Sequence, residues 1–251
     1  MDERFWTERS VPGSPSWPFN RGRFMSRYNL ACGMARGKSV LDVACGVGYG
    51  SHLLATDGGA ESVLGLDIND TVVEHARAYY QTPNLRFEVR NGEDVSALGR
   101  GSFDLVVSMG TLEHVRNPGA FAAAVNHVLT DGGIWLVTML NPSAHEGTDP
   151  YHSQEWDIEA FHDFLKRHFP AVEIRWHVLL ESGEDKDRRN AARYRFAPLW
   201  LKSAAKTAMG RAAAARFSQK GAAFCEADDY AWVTEPADTA LEFLGICRSS
   251  S

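Results

Sequence analysis

The chain is poor in the features that mark several functional classes. It has four cysteines, Cys32, Cys45, Cys225 and Cys247. None shows the short paired spacing of a zinc site, and two lie in apolar runs, so burial as small hydrophobes is expected rather than a disulfide framework or metal cluster. No run of about 18 apolar residues is present to span a bilayer. The opening Met-Asp-Glu-Arg-Phe-Trp also lacks the basic and apolar regions of an export leader. A cytoplasmic protein is expected. There is no internal repeat, and no overall excess of positive charge: the net charge of −6 argues against nucleic acid as a partner. The positive charge is concentrated instead. Between Lys186 and Lys220 ten basic residues stand against the single acid Asp187. That segment reads as a solvated face, a groove for an anionic acceptor, or a weak contact with an anionic membrane surface peripheral to its inner face.

What is present is centred on Ser39 to Ser51. A short apolar run, Val40 to Ala44, has the pattern of a buried parallel strand, and Gly46, Gly48 and Gly50 follow before the helix-compatible His52-Leu53-Leu54-Ala55. Glycines at such a turn allow positive φ and let a ligand approach the backbone closely. The next apolar strand ends at Asp67, placed to accept bonds from the two hydroxyls of a ribose. Dinucleotide enzymes use the same architecture. Their fingerprint needs a small third residue where this chain has Ser51.

Asp42, Ala44, Cys45, Gly46, Gly48 and Gly50 together resemble motif I of class I S-adenosylmethionine-dependent methyltransferases. The resemblance extends along the chain. Glu8-Arg9, Pro12-Gly13, Arg27-Tyr28 and Gly37-Lys38 look like methyltransferases associated with bacterial polysaccharide and lipopolysaccharide biosynthesis. Those relatives carry histidines shortly before the Arg-Tyr pair, where this chain has Arg21 to Met25. Gly110-Thr111-Leu112-Glu113-His114 resembles the family's segment after strand four, and Asp149-Pro150-Tyr151-His152-Ser153-Gln154-Glu155-Trp156 resembles a family segment more distinctive than motif I. The resemblance implies a Rossmann-like α/β sheet of seven strands in the order 3-2-1-4-5-7-6. It also implies S-adenosyl-L-methionine as cofactor, held by Asp42, Ala44, Cys45, Gly46, Gly48, Asp67, Ile68, Asn91, Gly92 and Met109, with Arg27 and Tyr28 closing over the donor's carboxylate.

The implied activity is O-methylation of a sugar in a cell-surface or lipid-linked glycan. The alternatives are a small-molecule O- or N-methyltransferase of secondary metabolism and a non-catalytic donor-binding subunit. An alcohol acceptor needs a base within hydrogen-bond reach; His152 and His114 are the candidates, with Glu113 and Glu155 beside them. Some relatives hold a divalent metal with a second glutamate four residues before the histidine. Here that place is Gly110, and one carboxylate with one imidazole leaves most of a magnesium shell to water, so no metal is expected.

The expected organisation is an arm and helix over 1–36, a core over 37–182, a basic helical insertion over 183–239 and a last strand within 240–251. Helix signals fall on Arg21 to Arg36, Thr71 to Tyr80, a stretch opened by Asn117-Pro118 and closed by Asp131-Gly132-Gly133, and one capped by Asp157. Strands are expected at Leu85 to Val89, Phe103 to Met109, Ile134 to Leu140, Val172 to Leu180 and Ala240 to Cys247.

Overall fold

The computed structural model describes residues 11–12, 17–144, 152–184, 186 and 226–250. Its elements in chain order are α1 (Trp17–Ala35), β1 (Ser39–Val43), α2 (Tyr49–Ala55), β2 (Ser62–Asp67), α3 (Asp70–Tyr79), β3 (Leu85–Val89), β4 (Phe103–Ser108), α4 (Pro118–Val128), β5 (Leu129–Leu140), α5 (Ile158–His168), β6 (Ala171–Leu179), β7 (Tyr230–Val233) and β8 (Glu242–Arg248). They build one sheet in the order β3-β2-β1-β4-β5-β8-β6-β7. Strands β1 to β5 are parallel, while β8 runs antiparallel between β5 and β6. The order reverses between β1 and β4, which opens a crevice at the carboxyl ends of those strands, where open α/β sheets place their ligands. By internal contacts the chain forms two units, Arg27–Val178 with Trp232–Ser251, and Met1–Ser26 with Leu179–Ala231.

Strand alternation explains how both faces are covered. Along β5, Ile134 and Leu136 join a core cluster with Leu54, Val63, Val73, Leu105, Leu244 and the α1 residues Ala31 and Ala35. Trp135 and Val137 point the other way, as the two-residue period of a strand requires. There Trp135 packs edge-on to Phe121 at 5.8 Å and against Phe169 at 5.4 Å. Its indole N–H, fully buried, donates to the Ser108 hydroxyl at 3.1 Å, so the ring's one polar group is satisfied. Helix starts are fixed by side chains: Asn69 accepts from the Val72 amide, Asn117 from Ala120, and Asp157 from Ala160. Among the described residues no helix is long and apolar enough to cross a membrane.

The sheet has eight strands rather than the expected seven. The expected order is present with β8 as the antiparallel strand, and Tyr230–Val233, inside the expected insertion, adds an edge strand. Four residues are too few for periodicity to reveal. Helix α1 begins at Trp17, earlier than its basic stretch indicates. Strand β5 begins at Leu129, so Asp131-Gly132-Gly133 lie inside it rather than closing a helix. Tertiary bonds account for this: the Gly132 amide donates to the Ser250 carbonyl at 3.1 Å, and the Ser249 amide to the Gly133 carbonyl at 3.0 Å. Most of the expected basic helical insertion, with Lys202, Lys206, Arg211 and Arg216, lies outside the described residues, as do Glu8-Arg9 and Asp149-Pro150-Tyr151.

The Asp157 cap carries a measurable share of stability. Asp157→Ala should lower the unfolding free energy by about 1 kcal/mol, whereas Asp157→Asn, which keeps an acceptor oxygen, should lose much less. Urea midpoints at constant slope would show the difference.

Candidate functional site

The turn after β1 is set by backbone geometry. Ala44 has φ 59°, Gly46 57° and Gly48 89°, and this run of left-handed residues turns the chain from strand into helix. At Gly48 the reason for glycine is steric as well: a Cβ there would lie 2.7 Å from the Ala76 Cβ and 2.8 Å from the Phe87 ring. Gly46 is the opposite case. A Cβ on it would meet nothing among the described residues within 4 Å, so they leave the space in front of it open.

Asp67, at the end of β2, is turned toward that opening. Its Oδ2 accepts the Gly46 amide at 3.1 Å and its Oδ1 accepts the Asn69 amide at 3.0 Å. Each carboxylate oxygen has two lone pairs, which leaves acceptor capacity for hydroxyl donors. Ile68 follows, an apolar side chain left 67% exposed, which offers a surface on which a flat ring can lie. These residues suit a nucleoside-bearing cofactor: open main chain, a carboxylate with lone pairs to spare, and an apolar platform. Asn91 caps the 3-10 turn Gly92–Leu98, its side-chain oxygen accepting the Glu93 amide at 3.0 Å. Gly92 packs close to the strand, since a Cβ there would lie 2.8 Å from Val43 Cγ1.

Other residues assigned to the donor by the resemblance lie deeper. Cys45 and Met109 are buried, and Asp42 is fully so, with the Ser51 hydroxyl 2.6 Å from its Oδ2 and the Tyr28 hydroxyl 3.3 Å from both oxygens. Burial pushes the Asp42 carboxyl up to about 7. The Tyr28 ring takes the place where a Gly50 side chain would be, 2.0 Å from its Cβ position, so α1 presses on the start of α2. Arg27 pairs with Glu242 at 2.6 Å, and Glu242 in turn bonds His177 Nδ1 at 2.8 Å. His177 stacks on Trp232 at 4.2 Å. Sequence reasoning passed over Glu242 and His177. Glu242 had a visible signal, the one charged residue in the apolar run Ala240 to Cys247, since a buried polar group of that kind needs a partner; His177 shares β6 with Glu173 and Arg175 and had no such signal.

The second half of the site lies beyond β4. Gly110 donates its amide to the Thr138 hydroxyl at 2.8 Å, and the Thr111 hydroxyl donates to the Val43 carbonyl at 3.3 Å. That second bond ties the turn Leu112–His114 to the end of β1, beside the glycine turn. The Glu113 carbonyl accepts amides from Ser153 at 2.7 Å and Gln154 at 3.2 Å, and the Gln154 side chain donates to the Val115 carbonyl. Two segments far apart in sequence are thereby held together. The His114 and His152 rings meet edge-on with centroids 5.0 Å apart, and Glu155 stands 3.8 Å from His152 Nδ1. Glu113 is buried, and among the described residues its Oε2 has no hydrogen-bond partner. Burial pushes its carboxyl up, opposed by a backbone amide and by His114 and Arg27. Ligand-capable atoms of Glu113, His114 and His152 all lie within 4.8 Å of one another.

Residues 40–133 match a family model described as a methyltransferase domain. A probable S-adenosylmethionine-dependent methyltransferase of Mycolicibacterium smegmatis is 30% identical over 165 residues, 63% of this chain and 62% of that protein. A ubiquinone biosynthesis O-methyltransferase of Thiobacillus denitrificans is 34% identical over 110 residues, 43% of this chain and 47% of that protein. The chain thus aligns with about half to three fifths of the length of these relatives. A solved S-adenosylmethionine-dependent methyltransferase of Thermotoga maritima, titled a possible histamine N-methyltransferase, superposes with a TM-score of 0.64 at 13% identity over 99% of this chain and 98% of that one. At that identity the likeness shows the fold.

Asp42 gives a pH signature. Its proton is held more tightly in the folded than in the unfolded chain, so its contribution to stability is full below about pH 4 and is lost as pH rises through about 7. Asp42→Asn should flatten the fall in stability across that window. Urea titrations at pH 4.5 and 7.5 would read the effect, and an unchanged slope would contradict it.

Proposed function

We propose that this chain, whose residues 40–133 match a methyltransferase domain family, is a class I S-adenosylmethionine-dependent methyltransferase that transfers the donor's methyl group to an oxygen of its acceptor. One observation carries the reading. The open main chain at Gly46, with the Asp67 carboxylate bonded to it, is tied through Thr111 and Val43 to the turn bearing Glu113 and His114. A donor-binding half and a proton-handling half are thus held side by side at the carboxyl ends of β1, β2 and β4.

When bound, S-adenosylmethionine supplies an electrophilic methyl group on a positively charged sulfur. The chain's residues do the rest. Asp67 accepts the ribose hydroxyls, Ile68 covers one face of the adenine, and the backbone around Gly46 comes close to the amino-acid end. Positive charge is dispersed as methyl transfer proceeds, so positioning supplies most of the acceleration. The acceptor hydroxyl must lose its proton to become a good nucleophile, and an imidazole of the His114 and His152 pair can take it. The Glu113 and Glu155 carboxyls stand beside that pair.

Oxygen as the acceptor atom is supported by the O-methyltransferase named among the relatives. A glycan hydroxyl is the acceptor favoured by the motif resemblance around Arg27-Tyr28 and His152-Ser153-Gln154-Glu155. A small-molecule hydroxyl is the acceptor class nearer to the ubiquinone biosynthesis relative. The nine net positive charges between Lys186 and Lys220 suit an anionic acceptor or an anionic membrane surface.

The donor half is tested by Asp67→Ala. Loss of a charged acceptor for two hydroxyls should weaken donor binding by about 100-fold, read by calorimetry. Asp67→Asn should fall between, since it keeps one acceptor oxygen. His152→Ala should leave donor affinity within about twofold and lower turnover by about 100-fold. Radiolabelled methyl transfer into lipid-linked, polymeric-glycan and small-molecule fractions would provide the turnover assay and decide the acceptor class.

A further inference from the structure

The Glu93 side chain joins the loop after β3 to the loop after β4. Its Oε1 accepts the Arg116 amide and the Asn117 amide, each at 3.0 Å, from donors 23 and 24 residues further along the chain. One oxygen that takes two amides uses both of its lone pairs, and a carboxylate bonds amides more strongly than a neutral acceptor does. The negative charge also stands at the start of α4, where a helix favours it.

Helix capping does not account for these bonds. Helix α4 has its own cap, the Asn117 side chain that holds the Ala120 amide at 3.1 Å, and its first residue, Pro118, has no N–H to satisfy. The amides bonded by Glu93 lie upstream, in the stretch that leaves His114. There the Val115 amide donates to the Leu112 carbonyl at 3.3 Å, and the Gln154 side chain donates to the Val115 carbonyl at 3.1 Å. At the other end Glu93 is itself held by Asn91. The Asn91 side-chain oxygen accepts the Glu93 amide and its carbonyl accepts the Asp94 amide, both at 3.0 Å. That side-chain oxygen has a second lone pair for a ligand donor. A relay of hydrogen bonds thus runs from Asn91 through Glu93 to Arg116, just beyond His114.

We propose that Glu93 is a positioning residue that couples the two halves of the site. It holds the His114 turn in one register with the loop of Asn91 and Gly92, so a donor settling on that loop also steadies the turn that serves the acceptor. Glu93 acts through backbone amides and needs no contact with either substrate. The coupling to the donor rests on the transfer reading above; the clamp between the loops does not.

The test is amide hydrogen exchange of the full chain, read by mass spectrometry with and without S-adenosylmethionine. Without donor, Glu93→Ala should speed exchange across residues 112–117 by more than about tenfold, because two amides lose a charged acceptor. Glu93→Gln keeps an acceptor oxygen at the same reach and should stay within about threefold of the unmodified chain. Residues 134–137 of β5 should exchange alike in all three, which shows an intact fold. If Glu93→Ala is unstable, Glu93→Asp, with the same charge one methylene short, should give the same loss at reduced size. With donor, protection in the unmodified chain should spread from 91–95 to 112–117. In Glu93→Ala it should stop at 95, while donor affinity by calorimetry stays within about threefold. Unchanged donor-free exchange at 112–117 in the shortened variants overturns the clamp. Donor protection that spreads equally with and without the Glu93 side chain, or never reaches 112–117, overturns the coupling. A donor that fails to bind the unmodified chain sinks the transfer reading and the coupling with it, and the donor-free comparison still decides the clamp.

Discussion

The Asp67 carboxylate joins the two loops on which the site is built. By accepting the Gly46 amide at 3.1 Å and the Asn69 amide at 3.0 Å, one side chain at the end of β2 fixes both the turn after β1 and the entry to α3. These amides stand at the crevice edge, where the turn has no ladder partner for Gly46. A carboxylate bonds such groups more strongly than a neutral acceptor would. The shape of the turn then follows from sterics: left-handed backbone at Ala44, Gly46 and Gly48, with Gly48 pressed against Ala76 and Phe87. Packing therefore sets where the main chain is closed, and the unfilled side of Gly46 sets where it is open.

A second constraint acts from the other side of the sheet edge. Arg27, Glu242 and His177 are almost wholly withdrawn from water, yet they bond in series. Burying charges costs several kcal/mol per ion before pairing, and well-packed apolar residues would often stabilise the fold as well or better. What the chain gains is register. Arg27 can satisfy its charge only with α1 in one position along β8, and in that position the Tyr28 ring covers Gly50 and its hydroxyl reaches Asp42. The first helix is thus locked to the strand that leads into the glycine turn.

The parallel half of the fold was legible because β1, β2 and β4 are short, mostly apolar runs and β3 alternates apolar with charged residues, and because Asn69, Asn117 and Asp157 announce their helices by capping chemistry. Where the reading failed, long-range bonds were responsible. Asp131-Gly132-Gly133 has local turn chemistry, but bonds to Ser249 and Ser250 draw it into β5. Tyr230–Val233 becomes a strand only by adding to the edge of a sheet that already exists. In the site, Asp67 and the glycine turn were visible from spacing alone. The meeting of His152 with Glu113 and His114 was not, since no local pattern encodes a contact between segments on either side of a strand and a helix.

Gly110 links these threads. Its φ is +64°, a conformation that costs any other residue roughly 1–2 kcal/mol. A Cβ there would lie 3.5 Å from the Arg27 guanidinium and 3.9 Å from Glu113 Oε1, so a longer side chain would extend into the space those two groups share. A carboxylate at this position would compete with Glu242 for Arg27 and add negative charge against Glu113. With Arg27 committed to holding α1, the turn after β4 is better served by a glycine. The third polar group of the cluster then has to come from elsewhere, and the two amide bonds to the Glu113 carbonyl bring it in as His152. The buried ion pair that positions the first helix thereby also bears on which side chains gather at the turn after β4.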